Sequence, residues 1–399
     1  MAPNRLRTTW GIVPIMQGVV AFVVAALSLS GHSSASADAG QKVGLAPEAW
    51  SKRYGDSQNT CRGLGSGATG VIKYTVPLSK ICSWGILSPD GFFYAGSMWG
   101  DLIAIDVKTG VQKGQIRRAS SIDHAASLGA NGVLYIQSGK GSTDGELFAI
   151  DAKTGADRWT YKTHSMIGSP PAVGKDGTVY AMSWTNDLFA LDGSSGQLKW
   201  HVKTPWSSCS PAIGPDGSLY VGGNNDDLNC FNAKTGTLKW SRNFLNSSIA
   251  APAIGDDGTV YVRTQRYVVA VNGATGDTKW KFDCIGSPKE PPAIGYDGNI
   301  YFGTGNGKVY GVNGRTGAQL WMADLGLANF GDSSAIDAKG VLYLASLGMS
   351  DTNIYAVDTT TGKVLWKVKP NLSGCRNPIL GPDGTLYLIS ATSELVAIH

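Results

Sequence analysis

One eleven-residue phrase constrains this chain more than any other feature. It reads AIDAKTGADRW at residues 149–159. It returns as ALDGSSGQLKW (190–200), CFNAKTGTLKW (230–240), AVNGATGDTKW (270–280), GVNGRTGAQLW (311–321) and AVDTTTGKVLW (356–366). Its Thr-Gly or Ser-Gly step falls at Gly70, Gly110, Gly155, Gly196, Gly236, Gly276, Gly317 and Gly362, spaced by 40 to 45 residues. A second signal keeps the same period: an apolar stretch, Asp-Gly or its equivalent, then another apolar stretch. Its glycines are Gly91, Gly132, Gly177, Gly217, Gly258, Gly298, Gly340 and Gly384. Repeats of this length mark units that cannot bury a face alone and must stack on their neighbours.

Each unit spells four short strands. In the fourth, residues 210–214 read as one strand and Asp216-Gly217 as a tight hairpin, because glycine accepts the positive φ of such turns. Residues 218–222 return with alternating apolar positions, residues 228–231 follow, and Lys234-Thr235-Gly236 turns the chain into residues 238–242. Four strands every 40 to 45 residues predict a β-propeller blade, in an all-β fold of antiparallel four-stranded blades.

The two ends predict how the ring closes. The last unit stops at ELVAIH, residues 394–399, without a fourth strand. ATGVIKYTV, residues 68–76, is a fourth strand without a blade, with Tyr74 in the tryptophan slot. The N-terminal strand is therefore expected to complete the last blade, giving eight blades and leaving no open end to the array.

The phrase has a structural account at every position. Trp159, Trp200, Trp240, Trp280, Trp321 and Trp366 can pack on a neighbouring blade, each burial contributing on the order of 2–3 kcal/mol. The first blade has Gly114 in that slot. The Asp or Asn before the turn can cap its backbone N–H groups. Function is expected only where a residue departs from its siblings.

Residues 1–37 read as a signal peptide, with Arg5 and Arg7, the apolar run VVAFVVAALSL and a small-residue exit at Ala35-Ser36-Ala37; the propeller is expected over 38–399. Export to the periplasm or outside follows, with no membrane span once the segment is removed. Losing Arg5 and Arg7 takes the formal charge from +4 to +2, with no basic stripe, which excludes a nucleic-acid partner. The six cysteines have no C-x-x-C or adjacent pair, and no metal-site spacing is present. Cys82 and Cys375 each stand nine residues before the hairpin glycine of their blades, which predicts a disulfide across the closure. Nothing in the sequence calls for an oligomer, and a monomer is expected.

The pattern AxDxxTGxxxW resembles the tryptophan-docking motif of the pyrroloquinoline quinone (PQQ) type propellers. The resemblance covers residues 46–399, and the segment EAWSKRYGDSQNTCRGLG (48–65) is similar to the lead-in of such propellers. It implies one of two classes. Quinoprotein alcohol and glucose dehydrogenases hold PQQ over the central axis with calcium or a lanthanide and a catalytic carboxylate, usually beside an adjacent Cys-Cys pair. BamB-type outer-membrane assembly lipoproteins are plain eight-bladed scaffolds. This chain lacks the Cys-Cys pair and the long insertions of the first class, and the lipid-bearing cysteine of the second. The expectation is a non-catalytic binding or scaffold propeller for a protein or glycan ligand, without a cofactor. The alternatives are a PQQ- and calcium-dependent dehydrogenase, or a cofactor-free polysaccharide-acting enzyme.

The loops entering each inner strand share a face with the loops between second and third strands, and these loops break the repeat. They carry Trp84, Trp99, His124, His164, Trp184, Trp206, Arg263, Arg266, Phe330 and Arg376, with Lys289, Glu290 and Asp332 beside them. Aromatic and Arg side chains are enriched where surfaces bind partners, so this face is the expected ligand face.

Overall fold

The computed structural model describes residues 51–78, 82–122, 124–139, 145–165, 168–204, 209–223, 226–244, 251–326, 328–348, 350–372 and 374–399, with Cys82 and Ser83 by backbone alone. The expected signal peptide and Trp206 lie outside the described residues. Eight four-stranded antiparallel sheets follow one another around a ring. Among the described residues there is no helix, hence none long and apolar enough to cross a membrane.

The fourth blade shows why the repeat folds this way. Its strands are Ala212–Ile213, Ser218–Gly222, Asp227–Asn232 and Leu238–Asn243. The second strand is buried throughout, because both its faces meet a neighbouring blade. The outermost strand is exposed at every position except Trp240, which is half-buried. The inner strand is shorter than the sequence suggests. Pro211 has no N–H to give the ladder, and the Ile213 N–H goes instead to the Ser57 carbonyl at 2.8 Å. A bulge between Cys230 and Phe231 sets Trp240 opposite Cys230.

That tryptophan joins two blades. Its indole N–H donates to the Gly273 carbonyl at 2.9 Å, and the Tyr220 hydroxyl donates to the same oxygen at 3.1 Å. Gly193, Ala233 and Gly314 accept the same pair of donors at three other seams. The glycine of the phrase is required twice over. Gly236 has φ +73°, and a Cβ there would stand 2.7 Å from the Trp200 ring.

Closure occurs as the sequence predicts. Ile72–Pro77 pairs antiparallel with Glu394–Ile398, Thr75 facing Val396. Tyr74 takes the tryptophan's place, its hydroxyl donating to the Val107 carbonyl at 2.6 Å. Between the first and second blades, where Gly114 stands in the tryptophan slot, the Ala152 carbonyl accepts from the Tyr94 hydroxyl at 3.2 Å, its one aromatic donor among the described residues. A small cavity bounded by Tyr94, Ala104 and Ala152 remains there. Cys82 pairs with Ser97 and Cys375 with Ser390, so the two cysteines occupy equivalent registers on strands that pack together. Cys375 is a free, buried thiol where the spacing predicts a bridge, and the Cys82 side chain lies outside the described residues.

One segment belongs to no blade. Residues 51–63 run round the axis beneath the inner strands, at the end that carries the Asp-Gly hairpins. The carbonyls of Ser51, Ser57, Gln58, Thr60 and Cys61 accept the N–H groups of Leu128, Ile213, Ile254, Ile294 and Ile336 at 2.8–2.9 Å. This segment plugs the channel at that end.

Candidate functional site

The plug projects two side chains along the axis toward the loop face. Arg53 pairs with Glu290 at 3.0 Å and Asp332 at 3.5 Å, and the Tyr54 hydroxyl donates to the other Glu290 oxygen at 2.7 Å. The Arg53 guanidinium lies 4.3 Å from the Trp84 ring centre, and Trp84 stacks on His124 at 5.3 Å with planes 9° apart. Loops therefore supply His124, Glu290 and Asp332, and the plug supplies the cation that holds them together; Trp84, expected on a loop, lies instead within the inner strand Cys82–Leu87 of the first blade.

Burial dominates the electrostatics here. It pushes the Asp332 carboxyl up to about 6 against the pull of Arg53. It lowers His124 to about 4, with Arg53 adding repulsion, so the ring is neutral at pH 7. It lowers Lys52 to about 7; that amine donates to the Pro211 carbonyl at 2.8 Å. The Trp84 Nε1 and His124 Nδ1 atoms are buried without a hydrogen-bond partner.

The other expected site residues divide sharply. Trp99 is 63% exposed and Trp184 45%, alongside Met98 at 59% and Ile285 at 65%. His164 and Arg376 are exposed, and Arg263 is half-buried with its Nε unpartnered. Arg266 is exposed and forks onto Asp283. Phe330 is not a surface residue: it is 2% exposed, packed edge-on against Tyr355 at 5.8 Å in the core. The expected site residues thus divide between a partly buried axial cluster around Arg53 and an exposed rim. Arg53 and Tyr54 are absent from the expected site, because nothing in the sequence says which loops a lone plug arginine will meet.

The hairpin face is not bare. Four cavities of about 270, 360, 420 and 500 Å³ open on it, each between adjacent blades and each bordered by the plug.

The model of the family described as outer membrane protein assembly factor BamB matches residues 48–207 and 202–399, nearly the whole propeller. The chain belongs to that family. Among solved structures, this BamB-family chain is similar to BamB from Moraxella catarrhalis, at 18% identity and TM-score 0.68, over 82% of this chain and all of that one. A europium-containing methanol dehydrogenase is similar at 14% identity and TM-score 0.70, over 86% and 90% of the two chains. Quinohemoprotein alcohol dehydrogenase from Comamonas testosteroni is similar at 13% identity and TM-score 0.69, over 88% and 80%. Likeness at such identities concerns the fold alone. No curated protein matches the chain.

Proposed function

We propose that this BamB-family chain is an exported, non-catalytic scaffold that holds a protein ligand on its loop face. The carrying observation is the exposure of Met98, Trp99 and Trp184 on stiff turns. The Ser97 hydroxyl accepts the N–H groups of Trp99 and Asp101, and Ser183 and Asp187 close the turn beneath Trp184. Large side chains held in place lose little freedom on binding, so their burial converts efficiently into affinity. The signal-peptide pattern at residues 1–37 and the family's outer-membrane description support export.

The axial residues do not fit a quinone with a calcium ion. The Trp84 ring already packs against Arg53 and His124, and the Arg53 guanidinium is committed to Glu290 and Asp332. Among the described residues no group of three His, Cys, Asp or Glu side chains could hold a metal. The test is photo-crosslinking from the exposed positions 98 and 185 in native envelopes, comparing wild type with a Trp99→Ala/Trp184→Ala variant. A discrete crosslinked protein lost in the variant supports the reading. Identical crosslinking in both, or dye-linked alcohol oxidation after adding PQQ and calcium, overturns it.

A further inference from the structure

The repeat makes departures easy to see, and on the hairpin face they gather in one place. The residue before the hairpin Asp or its equivalent is Pro89, Ala130, Lys175, Pro215, Asp256, Tyr296, Ala338 or Pro382. Tyr296 is the aromatic exception in that series and Asp256 the acidic one. In the turn of the phrase, Arg315 stands where the other copies have Lys, Ser, Ala or Thr. These three residues line a single cavity, the one of about 500 Å³ between the fifth and sixth blades.

The cavity has a rigid aromatic wall. The Tyr296 ring is half-exposed, with its hydroxyl tied to the Gly63 carbonyl at 3.1 Å. Arg62 of the plug braces the ring, its guanidinium carbon 5.2 Å from the ring centre. Arg62 is itself pinned to the carbonyls of Ile294 and Gly295 at 2.9 and 3.0 Å and to Asp256 at 2.9 Å. Beside the ring, Asp256 offers a forked acceptor of which Arg62 takes one oxygen, and Arg315 a two-pronged donor, while Asp297 and Asn299 are bonded to each other and stiffen the hairpin that forms the floor. The volume falls within the roughly 300–1,000 Å³ of small-ligand sites.

We propose that this cavity is a carbohydrate subsite taking a hexose of a neutral oligosaccharide. The C–H face of a sugar ring packs on the exposed part of Tyr296, and adjacent hydroxyls pair with the forked groups around it. The carboxylates disfavour an anionic ligand. Arg62 already supplies the cation that the ring and Asp256 would draw from a basic peptide. The site lies at the opposite end of the ring from the loop face and is independent of the protein ligand there.

The test is calorimetry and saturation-transfer NMR on the full mature chain with hexamers of β-1,4-glucan, α-1,4-glucan, β-1,4-mannan and β-1,4-galactan. At least one is expected to bind. Tyr296→Ala and Arg315→Ala each weaken it tenfold or more, while Tyr296→Phe and Trp99→Ala/Trp184→Ala leave it within about twofold. Arg315 is exposed, so its variant keeps the fold if Tyr296→Ala does not. Binding of none of the four, binding unchanged in Arg315→Ala, or competition by an arginine-rich peptide overturns the proposal.

Discussion

The Tyr74 hydroxyl reaches across the closure to the Val107 carbonyl at 2.6 Å, doing for the last seam what an indole does at six of the others. Tyr74→Phe is expected to lose about 1 kcal/mol, the net contribution of one hydrogen bond. Tyr74→Ala is expected to lose about 3 kcal/mol, because the ring also covers the seam. Urea unfolding measures both. Hydrogen exchange should localise the opening in Tyr74→Ala to the pairing of Ile72–Pro77 with Glu394–Ile398.

The empty slot at Gly114 predicts a gain. Gly114→Trp should place an indole N–H near the Ala152 carbonyl, which has one aromatic donor among the described residues where the carbonyls of Gly193, Ala233, Gly273 and Gly314 have two. A rise of about 1–2 kcal/mol is expected from the added burial. Thermal unfolding at matched pH checks it, and a fall would show that Arg118, over the Phe148 ring at 4.2 Å, already fills the position.

The axial cluster predicts a hidden pH dependence. A carboxyl held above its unfolded value binds its proton more tightly in the folded chain. Stability from Asp332 is therefore full at low pH and lost as pH rises from about 4 through about 6. His124, lowered to about 4, is protonated more readily when unfolded, so its contribution rises with pH between about 4 and 6.5. The two slopes oppose each other, and wild-type stability should be nearly flat from pH 4 to 6. His124→Gln should uncover the falling limb and Asp332→Asn the rising one, each on the order of 2 kcal/mol. Chemical denaturation at half-unit pH steps reads both.

The rim tryptophans should separate binding from folding. Trp99→Ala and Trp184→Ala remove exposed side chains, so stability should change by less than about 0.5 kcal/mol. Loss of the crosslinked partner at unchanged Tm is the expected combination.

Blade number, strand order and closure were legible in the sequence because each rests on a local pattern repeated eight times. The inner strands are shorter than the apolar residues before each hairpin predict, because Pro211 has no N–H to give the ladder and plug carbonyls accept the N–H groups of Ile213, Ile254, Ile294 and Ile336. Phe330 was misplaced for a related reason, since an aromatic in an irregular loop carries no period to show which way it faces. Arg53 was invisible as a site residue because its partners, Glu290 and Asp332, lie 237 and 279 positions away. Tyr296 could have been found, because it stands out in its slot. The recurring Asp-Gly pair beside it carries the period, so the slot before that pair reads as a variable turn position.

The plug also sets the timetable by which the chain acquires its shape. Ser57, Gln58, Thr60 and Cys61 leave the ribosome early, yet their backbone partners lie in the fourth to seventh blades. Thr69 waits longer still, for the carbonyl of His399, 330 positions downstream. Blades can form one by one as they emerge, but the ring cannot be sealed until Glu394–Ile398 is made and free to pair with Ile72–Pro77. A half-made chain is an open arc with a bare core, and Glu394–Ile398 is the strand that lets Ile72–Pro77 settle.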